Sequence, residues 1–81
     1  MMTPAQCRAA RGLLGLTQSD LASSSRVSLR TIAHFEAGER TPIPANHAAL
    51  QSALESAGVE FIAENGGGAG VRLRKRSKAK K

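Results

Sequence analysis

The stretch Thr17–Gly38, TQSDLASSSRVSLRTIAHFEAG, decides the fold. It reads as two short helices joined by a tight turn. Thr17 suits an N-cap, and Asp20 three residues on can reach back to the first amides, as in a capping box. Leu21 and Ala22 give the first of these helices a small apolar face. Ser24, Ser25 and Arg26 interrupt it, and Val27 returns to the core. Ser28 is a second N-cap. It opens a helix over 28–37 whose apolar positions are Ile32 and Phe35. Gly38 ends that helix as the glycine beyond its C-cap. A helix of about eight residues cannot stand alone, so each must pack on the other and on neighbours. The outer face of the second helix then carries Leu29, Arg30, Ala33 and His34. An Arg and a His at the exposed start of a packed helix suit contact with base edges in a major groove.

In Gln18, Leu21-Ala22, Val27-Ser28, Thr31-Ile32, Glu36 and Gly38 the chain resembles the helix-turn-helix of the phage-repressor (Cro/repressor, xenobiotic-response-element) family. The resemblance runs from about Thr3 to about Leu54 and includes polar signature positions as well as apolar ones. It implies a mainly α fold, a four-to-five-helix repressor-like DNA-binding domain. The family usually has Gly where Arg26 stands here, at a turn position that commonly takes φ > 0. A non-Gly residue there costs on the order of 1 kcal/mol, so a strained or reshaped turn is expected. The family also pairs an Arg of the first helix with a Glu near the end of the recognition helix. Those positions are Arg11 and Glu36, and two solvated surface charges are the alternative. Just past the recognition helix the family commonly meets phosphates. Arg40 and Thr41 hold that place, and ordinary solvated loop residues are the alternative.

Working outward toward the N-terminus, a first helix is expected from Pro4 to Leu14. Thr3 caps it, Pro4 suits its first position, and Gln6 completes a Thr-x-x-Gln box. Cys7, Arg11 and Leu14 share one face, and a charge on a core-facing stripe needs a partner. Cys7 has no second Cys and no His at ligand spacing, so a buried apolar thiol is the better reading than a metal ligand or a redox sensor. Gly12 and Gly15 loosen the exit from this helix and form no phosphate loop.

Toward the C-terminus, ERTPIP (Glu39–Pro44) is a loop stiffened by two prolines. A fourth helix is expected over Ala45–Ala57, ending at Gly58. His47, Leu50, Leu54 and Ala57 share a face, which makes His47 a packed residue rather than a ligand or an acid–base group. After Gly58 the pattern changes. VEFIA reads as a strand, Asn65-Gly66 is a hairpin signal, and Ala69–Leu73 can return as a second strand with Val71 and Leu73 on one face. A flexible linker is the alternative for the Gly-rich run. The chain thus divides into a helix-turn-helix domain at 1–58, a β-hairpin extension at 59–74 and a disordered basic tail at 75–81.

The charge is unevenly placed. The chain carries a net +6. Up to Gly70, five arginines face six carboxylates and leave −1, while the last eleven residues hold +7. Basic charge of this kind suits nucleic acid. No apolar run approaches the ~20 residues of a membrane span. The start MMTPAQ has none of a signal peptide's features, and one cysteine fits a reducing cytoplasm. No catalytic, nucleotide, flavin or metal motif is present, so an enzyme is not expected, nor any cofactor. The expected function is sequence-specific double-stranded DNA binding by a transcriptional regulator, with repression the expected direction. The expected DNA contacts are Thr17, Gln18, Ser28, Leu29, Arg30, Thr31, His34, Arg40 and Thr41. Reading two half-sites implies a homodimer, with its seam expected in the hairpin, at Val59, Phe61, Ile62, Val71 and Leu73, or on the fourth helix. The alternatives are the antitoxin of a toxin–antitoxin pair, gripping a toxin or co-regulator as well as DNA, and an interaction module that kept the fold.

Overall fold

The helices begin where a side chain or a proline can serve their first amides. In the computed structural model, which describes residues 2–74, the order is α1 (Pro4–Leu14), α2 (Gln18–Ser25), α3 (Leu29–Glu36), α4 (Pro44–Ala57), β1 (Val59–Ile62) and β2 (Gly70–Leu73). The basic tail expected at 75–81 lies outside the described residues. Thr3 and Gln6 close a two-way capping box on α1, and Thr17 and Asp20 close another on α2. The hydrogen bond that the Asp20 carboxylate accepts from the Thr17 amide is the main cause holding its carboxyl below the usual range. Ser28 caps α3 by accepting from the Thr31 amide at 3.1 Å. The span 28–37 is α3 with its two caps, Ser28 and Ala37. α4 starts at Pro44, one residue before the expected Ala45, because Pro at the first helical position forfeits no intrahelical hydrogen bond.

The turn between α2 and α3 is made by Arg26, which takes φ 63° and ψ 24° in the left-handed region. Its amide still donates to the Ala22 carbonyl at 2.9 Å. A side chain in that conformation costs about 1–2 kcal/mol. Val27, 4% exposed, sits directly after it and anchors the turn to the core.

Each helix gives one face to a common interior of Cys7, Ala10, Leu21, Val27, Ile32, Phe35, Leu50 and Leu54, joined by Met2 and Val59. His47 is buried there. Its Nε2–H donates to the Met2 carbonyl at 2.8 Å, and its ring meets Phe35 edge-on at 5.5 Å. A carbonyl can only accept, so Nε2 carries the proton.

The strands form an antiparallel pair with Val59 opposite Leu73 and Phe61 opposite Val71. The hairpin signalled by Asn65-Gly66 forms. Asn65 keeps negative φ, so the turn is not of the two-residue type I′ kind. The connection runs from Ala63 to Ala69, held by the Glu64 carboxylate, which accepts from the amides of Gly66 and Gly68. Glu64, two residues after β1, therefore shapes a longer loop, and β2 begins at Gly70 rather than Ala69. Leu73 is 54% exposed at the open end of the ladder, and Val71 is half-buried. Gln6 fixes the hairpin to α1, donating from Nε2 to the carbonyls of Gly70 at 2.7 Å and Ile62 at 3.3 Å.

Candidate nucleic-acid interface

The outer face of α3 is available because its inner face is committed. Ile32, Phe35 and Glu36 are buried, which turns Leu29, Arg30 and Ala33 to solvent and leaves His34 half-exposed. Glu36 is a carboxylate only 3% exposed, and donors surround it. Arg11 grips both oxygens, Nε to Oε2 at 2.7 Å and Nη2 to Oε1 at 2.6 Å. Gln18 Nε2 donates to Oε1 at 3.0 Å, and the Cys7 thiol to Oε2 at 3.1 Å. Arg11 also donates to the Leu16 carbonyl, and Arg8 to the backbone carbonyl of Glu36. One buried acid thus ties α1, α2 and the end of α3 together and sets the angle at which α3 is presented.

Burial alone would raise the Glu36 pKa. The hydrogen bonds from Arg11, Gln18 and Cys7 outweigh it and hold the group below its ordinary value. Burial, then the hydrogen bond to Glu36, pushes the Cys7 thiol up to about 12. The thiolate is the reactive form, so Cys7 is expected to be inert in the folded chain. At pH 8, Ellman's reagent should release colour only after denaturant is added. Prompt reaction of the folded protein would contradict the burial of this sulfur.

The expected contact residues fall into three places. Arg30, Thr31, His34, Arg40 and Thr41 line one groove between α3 and the loop leading to α4, together with Ile43 and Asn46. Ser28 and Leu29 stand at the start of α3, where the Ser28 hydroxyl also donates to Thr31 Oγ1 at 2.9 Å. Thr17 and Gln18 open α2, apart from the groove. Thr17 is occupied by its capping box, and the Gln18 carboxamide is turned to Glu36, so the side chains of both serve the scaffold.

Three residues of this surface were not named from the sequence. Ile43 is 63% exposed beside Arg40 and serves as the N-cap of α4 without a side-chain hydrogen bond to its amides. Asn46 follows in the first turn of α4. Glu39 holds His34: its Oε1 lies 2.8 Å from His34 Nδ1. A signal for Glu39 existed in the position of Gly38, since a left-handed glycine after a helix folds the next residue back over the last turn. Gly38 has φ 74°, its amide reaches the Phe35 carbonyl, and the Glu39 amide reaches the His34 carbonyl at 2.9 Å.

Among the described residues no three His, Cys, Asp or Glu side chains converge as metal ligands, and no helix is long and apolar enough to cross a membrane. A sequence model of the helix-turn-helix family matches residues 8–55, more than half of the 81 residues. The match takes in α2, the turn and α3 entirely, and most of α1 and α4. No curated protein matches the chain.

Proposed function

The chain belongs to the Cro/C1-type helix-turn-helix family of DNA-binding transcription regulators, and from that premise we propose that it binds a specific duplex site as a homodimer and represses transcription by occupying it. The observation that carries the reading is the groove beside α3, where Arg30 and His34 on the solvent face of that helix stand together with Arg40 and Thr41 of the following loop. In this reading α3 enters the major groove. Leu29, Arg30 and His34 meet base edges, while Ser28 and Thr31 hold the start of α3 at the DNA surface. Arg40, Thr41 and the first amides of α4 meet phosphate, since helix N-termini favour anions. Gln18 and Thr17 contribute through the N-terminus of α2. The work is recognition, without bond chemistry. The family is regulatory rather than enzymatic.

One α3 spans only a few base pairs, so specificity comes from two half-sites about 34 Å apart. The hairpin supplies the seam in this reading, with Leu73 exposed and an unpaired strand edge beside it. Selection from random duplexes with the full chain tests the proposal. An inverted repeat with half-sites one helical turn apart should be enriched. A pool that stays random would contradict it and favour the second reading, in which exposed Leu29 and Ile43 dock a protein such as a toxin or co-regulator.

The charges make a further prediction. Within 2–74, Arg8, Arg11, Arg72 and Arg74 are each bound internally, Arg72 to Glu60 at 2.6 Å and Arg74 to the Glu55 carbonyl at 2.5 Å. Arg26, Arg30 and Arg40 are the cations left for phosphate among the described residues. The sequence beyond Arg74 adds Lys75, Arg76, Lys78, Lys80 and Lys81. If about four of these reach the DNA backbone, truncation after Arg74 should flatten the slope of log K against log salt by about 3–4, with base preference retained. An unchanged slope would place the tail off the DNA.

A further inference from the structure

The pairing of His34 with Glu39 bears on which base this surface reads, if α3 enters the major groove as proposed. The geometry is imposed by the backbone. Gly38 turns left-handed, the Glu39 amide bonds back to the carbonyl of His34, and the Glu39 carboxylate comes to rest 2.8 Å from the His34 Nδ1. An ionised carboxylate has no proton to give. Nδ1 must therefore be the donor, and in a neutral ring Nε2 is left with its lone pair. The other charged groups of this groove are Arg30, one turn earlier on α3, and Arg40, next in the loop. Glu36 lies on the opposite, buried side of α3 and is tied to Arg11. Both arginines donate only, so His34 Nε2 is the side-chain nitrogen in the groove that Glu39 leaves able to accept from a base.

We infer that Glu39 is a specificity-determining positioning residue: by fixing the Nδ1–H tautomer of His34, it makes Nε2 an acceptor for an exocyclic amino group in the major groove. Adenine N6 and cytosine N4 are the amino groups displayed there. Guanine O6 and N7 and thymine O4 are acceptors, and they meet the Nε2 lone pair of the neutral ring unfavourably. Arg30 and His34 are then complementary, one reading an acceptor edge and the other a donor edge one helical turn along.

Two measurements on the full chain test this. Nitrogen-15 NMR of the neutral histidine rings reads the tautomer without DNA. His34 should be protonated on Nδ1, whereas His47, which donates from Nε2 to the Met2 carbonyl, gives the opposite pattern in the same spectrum. Glu39→Ala should release His34 toward the Nε2–H form that free histidine prefers in water, and Glu39→Gln, which keeps an acceptor oxygen, should retain Nδ1–H. Glu39 is well exposed, so neither change threatens the fold. In duplex selection at pH 8, the wild type should prefer adenine or cytosine at one position by about 3- to 10-fold, the discrimination of one hydrogen bond. Glu39→Ala should reduce that preference to under about twofold while other positions hold, and Glu39→Gln should preserve it. A tautomer indifferent to Glu39→Ala, or one that changes with no change in base preference, overturns the inference and leaves the DNA reading standing. A wild type that enriches no sequence overturns the DNA reading itself, and is seen before any variant is compared.

Discussion

Arg11→Ala is expected to cost the folded chain about 3 kcal/mol, because it leaves the buried Glu36 carboxylate without its two-point partner. Domains of this size hold about 5–15 kcal/mol in total. At about 4–8 °C per kcal/mol, Tm should fall by about 12–24 °C. The pH dependence identifies the cause. Glu36 is held below its ordinary value of 4.5. It therefore contributes stability above that pH, and the contribution is lost as pH falls through the lower folded-state value. In Arg11→Ala burial outweighs the remaining donors, Gln18 and Cys7, and the Glu36 pKa rises. The variant then recovers on mild acidification while the wild type does not. Thermal melts from pH 7 to 3 should show the gap between the two proteins narrowing as the pH falls toward and through 4.5. A gap that is constant with pH, or a cost under about 0.5 kcal/mol, would mean that Glu36 does not rely on Arg11.

Arg30→Ala should act on DNA and spare the fold. Arg30 is exposed, and no hydrogen bond or ion pair engages its guanidinium among the described residues. The change in stability should stay within about 0.5 kcal/mol. The guanidinium can fork onto guanine O6 and N7, and losing such a contact costs about 1–3 kcal/mol, or about 5- to 150-fold in affinity for the best site. Competition between the enriched duplex and single-base variants of it should show discrimination relaxed at one base pair per half-site. Equal loss on every sequence would make Arg30 a phosphate contact.

The helices were legible because their signals are local. Thr3 with Gln6, Thr17 with Asp20 and Ser28 before Thr31 satisfy amides three residues away, and such spacing is written in the chain. Arg26 could be placed in the left-handed region because the family keeps a glycine there. What escaped the sequence depends on packing or on competition between partners. The Asn65-Gly66 signal marked the hairpin but not the length of its loop, which the Glu64 carboxylate sets by binding two glycine amides. The hydrogen bond from the Gln18 carboxamide to Glu36 was not legible either, since that partner lies eighteen residues away and only the folded arrangement of α2 and α3 brings it near. Glu39 was read only as the start of a loop, since its contact with His34 requires the returning backbone after Gly38.

The claim that α3 reads the major groove is tested most directly by methylation interference on the enriched duplex. Dimethyl sulfate marks guanine N7 in the major groove and adenine N3 in the minor groove. Methylated guanines within each half-site should be excluded from the bound fraction, and Arg30→Ala should lift that exclusion at one of them, while adenine N3 methylation within the half-sites is tolerated. Binding blocked by adenine N3 methylation and indifferent to guanine N7 methylation would put the protein in the minor groove and contradict the account.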